Sequence, residues 1–155
     1  METTYLSEHF TLWEMVRSGT AIRNNICNDN PNEEEIRSLK ALCHNVLEPL
    51  RKRFGTITVT SGWRSKKLNA LLGGADDSQH LRGEAADIFI SSQELAKHYI
   101  LFIRDRTQWD QLIVERFPAR HRNDPVEWLH VSYTTRRPNR KEILCGLYLP
   151  GVLPN

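Results

Sequence analysis

Apolar residues Ile36, Leu39, Cys43, Val46, Leu47 and Leu50 recur at helical spacing and define one buried stripe on a long amphipathic helix. Asn32 and Glu35 stand at capping-box spacing before it, and Glu33 and Glu34 suit the positive end of its dipole. Gly55 closes the connection. The period then changes: residues 56–61 alternate β-branched positions and predict a strand. Residues 65–72 predict a short helix, stopped by Gly73 and Gly74. Residues 87–90 predict a second strand. Ser91 and Glu94 form a capping box for a further helix whose apolar face is Leu95, Tyr99, Phe102 and Ile103. Residues 111–115 and 128–133 predict two more strands, joined through a polar, basic surface loop over 118–125. Near the start, Thr11 caps a short helix through Met15 that ends before Gly19, and residues 24–32 form an ordered loop. Residues 146–155 read as a short tail. Helices and strands mix without strict βαβ alternation. The expected class is therefore α+β, with a small, largely antiparallel sheet and packed helices.

Composition narrows the reading only slightly. A chain of 155 residues suits one domain, taken as 1–155, and can bury a core without staples. The formal net charge is +2 and the basic residues are scattered, so no nucleic-acid partner is expected. Cys27, Cys43 and Cys145 are odd in number and lack metal-knuckle spacing, which favours reduced thiols over a disulfide. No apolar stretch reaches membrane-spanning length, and residues 1–5 do not open a secretory signal. Synthesis in the cytoplasm without a signal peptide is expected, with any action on an external substrate following release. A monomer is expected.

Candidate chemistry concentrates in two stretches. Ser78-Gln79-His80-Leu81-Arg82-Gly83-Glu84-Ala85-Ala86-Asp87 sets a histidine and a carboxylate across a glycine-containing loop that runs into a strand. Imidazole nitrogen and carboxylate oxygen both suit zinc. Glu127-Trp128-Leu129-His130-Val131-Ser132 adds a further histidine on a strand, with a carboxylate nearby. Three protein ligands, His80, Asp87 and His130, would leave one position on Zn2+ for water. Such a metal acidifies water and polarises a carbonyl, and a neighbouring carboxylate moves the proton.

These stretches resemble the M15 zinc peptidases, the D-Ala-D-Ala carboxypeptidase and dipeptidase group, which shares its metal-site scaffold with the signalling domain of Hedgehog. Residues 78–87 fit the family pattern Ser-x-His-x-x-Gly-x-Ala-x-Asp at every specified position. Trp128-Leu129-His130 fits the later Trp-x-His element, and Ser61-Gly62-Trp63-Arg64-Ser65 the Ser-Gly-aromatic-Arg-Ser element. The opening residues 6–15 are similar to the compact, phage-associated branch, so the resemblance runs from about residue 6 to about residue 135. It implies a Hedgehog/D-Ala-D-Ala peptidase-like fold and zinc on His80, Asp87 and His130. Arg64 would face the substrate carbonyl or oxyanion, with Ser78 and Gln79 on the substrate backbone. It also implies hydrolysis of peptide bonds involving D-amino acids in peptidoglycan stem peptides, as in phage endolysins. The general base is open between Glu127, which has the family's Glu-x-x-His spacing, and Glu115. In a regular strand residues 127 and 130 face opposite sides, so Glu127 requires a bend or a loop entry at Pro125.

Two other functions compete: a catalytically inactive, zinc-stabilised wall- or protein-binding module, and a cytoplasmic D-Ala-D-Ala dipeptidase. His9, His44, His98 and His121 have no motif support. Arg116, Arg120 and Arg122 read as solvated charges, and Trp63 and Trp128 as packing residues.

Overall fold

Strands β1 (Val59–Ser61), β2 (Ala85–Phe89), β3 (Gln111–Glu115), β4 (Trp128–Ser132) and β5 (Glu142–Cys145) form one sheet in the computed structural model, which describes residues 2–115 and 128–145. Their order is β1-β2-β4-β3-β5. Neighbours are antiparallel except β3 and β5, which run parallel. This is the expected α+β class. The expected loop over 118–125, with its histidine and arginines, and the tail over 146–155 lie outside the described residues.

Alternation along the strands gives the sheet two different faces. Ala86, Ile88, Leu112, Val114, Leu129 and Val131 are buried in the core. Asp87, Gln111, Ile113, Trp128 and His130, the alternate positions, line a cleft on the other side.

The core face is covered by α3 (Glu33–Leu42), α4 (Glu48–Phe54) and α6 (Gln93–Arg106), which contribute Leu39, Leu42, Leu50, Ile100 and Ile103. Asn32 and Glu35 make the reciprocal capping box at the start of α3. The expected continuous helix is instead interrupted by a π turn at Cys43–Leu47, where the Glu48 N–H reaches the Cys43 carbonyl five residues back. Pro49 follows and has no N–H to return to the preceding turn, which accounts for the widened ladder at that point. On α6 the cap is Ser92, one residue later than expected, and its side chain accepts from Leu95 N–H. Ala96, Tyr99, Ile100 and Ile103 are the buried residues of this helix, and Leu95 and Phe102 pack half-buried beside them.

Three further elements depart from expectation. The strand over 56–61 shortens to β1 because its partner β2 ends at Phe89, whose N–H takes the Thr58 carbonyl as the last bond. A helix α2 (Gly19–Arg23) begins at Gly19, capped by Ser18, where a stop was expected after α1 (Leu12–Val16). Strand β5 lacks local alternation and forms by pairing along β3. Helix α5 (Lys66–Leu71), capped by Ser65, leads to Gly73 at φ 71° as expected. No helix among the described residues is long and apolar enough to cross a membrane.

Candidate metal centre and cleft

The antiparallel register sets Asp87 of β2 directly opposite His130 of β4, and His130 opposite Ile113 of β3. His80 arrives from a short 3-10 turn, Gln79–Arg82, that precedes β2. Gly83 ends that turn at φ 73°, a conformation glycine adopts freely. A Cβ there would also strike the Glu35 carbonyl oxygen of α3. The turn can therefore lie flat on α3 and aim His80 at the sheet. Gly62 is constrained similarly against the Met15 backbone.

His80, Asp87 and His130 each offer one ligand atom, all within 4.8 Å of one another, so the three could together hold a metal ion. The His80 Nδ1–H donates to the Gly62 carbonyl at 2.6 Å. That bond fixes the ring and leaves Nε2 facing Asp87 Oδ1 at 3.3 Å. His130 Nδ1 lies 3.0 Å from the same oxygen. Burial alone would raise the Asp87 pKa, but the adjacent His80 and His130 prevail and hold it well below the usual carboxylate range. Two imidazoles and an ionised carboxylate, buried together, form a donor set that suits zinc.

Arg64 occupies the next position outward. Its Nη2 donates to Asp87 Oδ2 at 3.1 Å, its Nε to Ser61 Oγ at 3.0 Å, and its Nη1 to Asn69 Oδ1 at 3.5 Å. It also lines the cleft. Ser78 Oγ accepts from the His80 N–H at 3.3 Å, bracing the turn that carries the histidine. Gln79 lines the cleft with both side-chain amide atoms buried and without a partner among the described residues. Glu127 lies outside the described residues. Glu115 ends β3 and pairs in register with Trp128.

Among the described residues, the other histidines stand apart from this group. His9 pairs with Glu48 at 2.9 Å, His98 with Glu94 at 3.4 Å, and His44 is exposed on the π turn.

Several supporting residues escaped the sequence reading. Buried Asn28 donates to the Val16 and Trp63 carbonyls and accepts from Ser65 N–H, tying residues 63–65 to the N-terminal segment. Glu84 is buried against Arg136 at 2.7 Å. Asp110 is fully buried and receives both Arg137 and Arg140. Their sequence separations carry no local periodic signal, since the pairings exist only once the sheet has formed.

The cleft measures about 700 Å³ and is lined by His80, Asp87 and His130, by Arg64, Ser78 and Gln79, and by the 73–75 segment and Arg140. Residues 8–115 match the sequence model of the family described as Peptidase M15. The matched span contains Arg64, His80 and Asp87, while His130 joins them through the register of the sheet. No curated protein matches the chain.

Proposed function

Because this chain belongs to the peptidase M15 family, we propose that it is a zinc metallopeptidase that cleaves bonds involving D-amino acids in peptidoglycan stem peptides. The observation that supports this most is the convergence of His80, Asp87 and His130 on one point at the floor of an open cleft. A zinc ion held there would polarise a peptide carbonyl and bring water towards ionisation at neutral pH.

The chain's own residues would do the rest. Gly62 orients His80 through Nδ1, and Arg64 holds Oδ2 of Asp87 so that Oδ1 faces the imidazoles. The cleft-lining Arg64 also carries fixed positive charge to the place where a carbonyl oxygen becomes anionic. Gln79 has the hydrogen-bonding capacity a peptide backbone requires, and its unpaired buried amide is the type of group that a ligand satisfies. Ser78 can donate its hydroxyl hydrogen to substrate while its oxygen accepts from His80 N–H. A carboxylate, Glu127 or Glu115, would take the proton from water and return it to the leaving amine. A phage or prophage endolysin is the setting that fits this substrate.

The deciding experiment is digestion of purified peptidoglycan by the zinc-loaded protein, with fragments identified by mass. New amine and carboxyl ends at a stem-peptide bond are expected. A protein that holds zinc yet releases no fragment would instead be a binding module, and a wall-retention assay would then show sedimentation with insoluble peptidoglycan.

A further inference from the structure

The cleft has a second cationic group, far from Arg64 in the order of the sheet. Arg140 lies just before β5, and β5 is separated from β4, which carries His130, by β3. Arg140 nevertheless lines the same cleft as the three candidate ligands. The strand registers set Arg140 roughly 10 Å across the sheet from His130, two strand spacings, and about four residues, roughly 13 Å, further along it. An extended peptide lying diagonally across the cleft spans that separation in about five residues, fewer by the reach of the Arg140 side chain.

Arg140 is held in place by an anchor on the β3 side. Asp110 accepts from the Arg140 backbone N–H at 2.8 Å, from its Nε at 3.2 Å and from its Nη2 at 2.9 Å. Asp110 also takes Arg137 through Nη1 at 2.8 Å and Nη2 at 3.1 Å. The connecting turn is braced by Asn139, whose Oδ1 accepts from Thr134 N–H at 3.0 Å.

One buried carboxylate thus faces two guanidinium groups, so Asp110 alone does not neutralise both. The nearby Glu142 carboxylate receives Gln111 Nε2 at 2.9 Å. Asp110 uses the Nε–Nη2 edge of Arg140. The Nη1–Nη2 edge keeps its hydrogens in the planar fork that matches a carboxylate. Arg140 is 42% exposed, so this edge is accessible, while its anchor is fully buried.

We propose that Arg140, positioned by Asp110, is a specificity residue that binds a substrate carboxylate several residues from the scissile bond. The proposal rests on the peptidase reading above. It names the chemistry of the subsite, and two carboxylates of a stem peptide could fill it: the C-terminal α-carboxylate or that of an internal acidic residue.

The test uses the zinc-loaded full chain and a synthetic stem pentapeptide, L-Ala-γ-D-Glu-L-Lys-D-Ala-D-Ala. Two analogues carry a carboxamide in place of one carboxylate, either at the D-Glu α-carboxyl or at the C-terminus. One analogue is expected to lose about tenfold or more in kcat/KM, mainly through KM, as for a charge-assisted bond. Arg140→Gln should lose a similar factor on the parent peptide and cease to distinguish it from that analogue. Arg137 remains to neutralise Asp110 in this variant, and zinc content with melting temperature confirms its fold. Should Arg140→Gln fail these controls, Arg140→Lys replaces it, with weakened discrimination expected.

Equal treatment of all three peptides by the parent protein, within twofold, overturns the subsite. So does unchanged discrimination in a folded Arg140 variant. If no peptide is cleaved, the peptidase reading fails. Calorimetric binding of the same three peptides to the zinc-loaded protein then decides the subsite separately, by the same preference and its loss in the variant.

Discussion

Arg64 donates from Nη2 to Oδ2 of Asp87 at 3.1 Å, so the cleft's inner arginine is bonded to one of the candidate metal ligands. This links two roles that the sequence suggested as separate, anion stabilisation and metal binding. Arg64→Ala should therefore weaken zinc affinity by about tenfold to a hundredfold, the usual scale for a residue that orients a ligand. It should also cost about a hundredfold or more in turnover at saturating zinc. Competition with a chromophoric chelator measures the first effect, and single-turnover hydrolysis the second. Unchanged zinc affinity would confine Arg64 to the substrate side.

His80→Ala, Asp87→Ala and His130→Ala should each lose most of the zinc, against about one ion per chain in the parent protein. Elemental analysis after desalting provides the check. Asp87→Ala should also lower the melting temperature of the metal-free protein, because it strands the Arg64 guanidinium at a largely buried site. Full zinc content in all three variants would remove the centre.

The base assignment separates cleanly by isosteric substitution. Glu127→Gln should retain zinc and slow hydrolysis by about a hundredfold to ten-thousandfold if Glu127 moves the proton, with Glu115→Gln mild. The reverse pattern would place the base on β3.

Acid should weaken the anchor of Arg140. Burial alone would raise the Asp110 pKa, but hydrogen bonds from Arg137 and Arg140 hold it well below the usual carboxylate range. Its folded value is lower than its unfolded one, so its contribution is full above about pH 4 and declines as pH falls towards the folded value. Melting temperature measured from pH 6 down to pH 2 should fall less steeply in Asp110→Asn than in the parent protein. Parallel curves would show that the ion pairs add no pH-dependent stability.

Cys27 and Cys43 should behave differently. Burial pushes Cys43 up to about 12, whereas Cys27 is exposed. A maleimide at neutral pH should label the peptide containing Cys27 and leave the Cys43 peptide unlabelled until denaturant is added. Mass mapping distinguishes them. Early labelling of Cys43 would mean that the π turn opens readily.

The sequence carried the local features of this architecture well and the long-range ones poorly. Asn32 with Glu35 and Thr11 with Glu14 cap their helices through contacts three residues apart, and short-range patterns report such contacts. The grouping of His80, Asp87 and His130 was legible because side-chain types recur in a recognisable order. No local rule brings Asp87 opposite His130. The π turn before Pro49 was missed because its apolar stripe still reads as helical. Strand β5 and the Asp110 cluster were missed because parallel pairing with β3 creates both. The Arg64–Asp87 bond depends on β1 lying beside β2, which no spacing within either segment encodes.

The two-faced sheet has a consequence for how the molecule tolerates change. Along β4, Leu129 and Val131 point into packed hydrocarbon while Trp128 and His130 face the cleft. Truncating the first pair removes buried apolar volume, at about 1–5 kcal/mol per site. Altering the second pair leaves that packing intact. A residue-by-residue scan of this strand should therefore alternate between variants that fail to accumulate in cells and variants that accumulate normally but do nothing. Heredity would experience neighbouring codons as two separate constraints, one enforced by proteostasis and the other by chemistry.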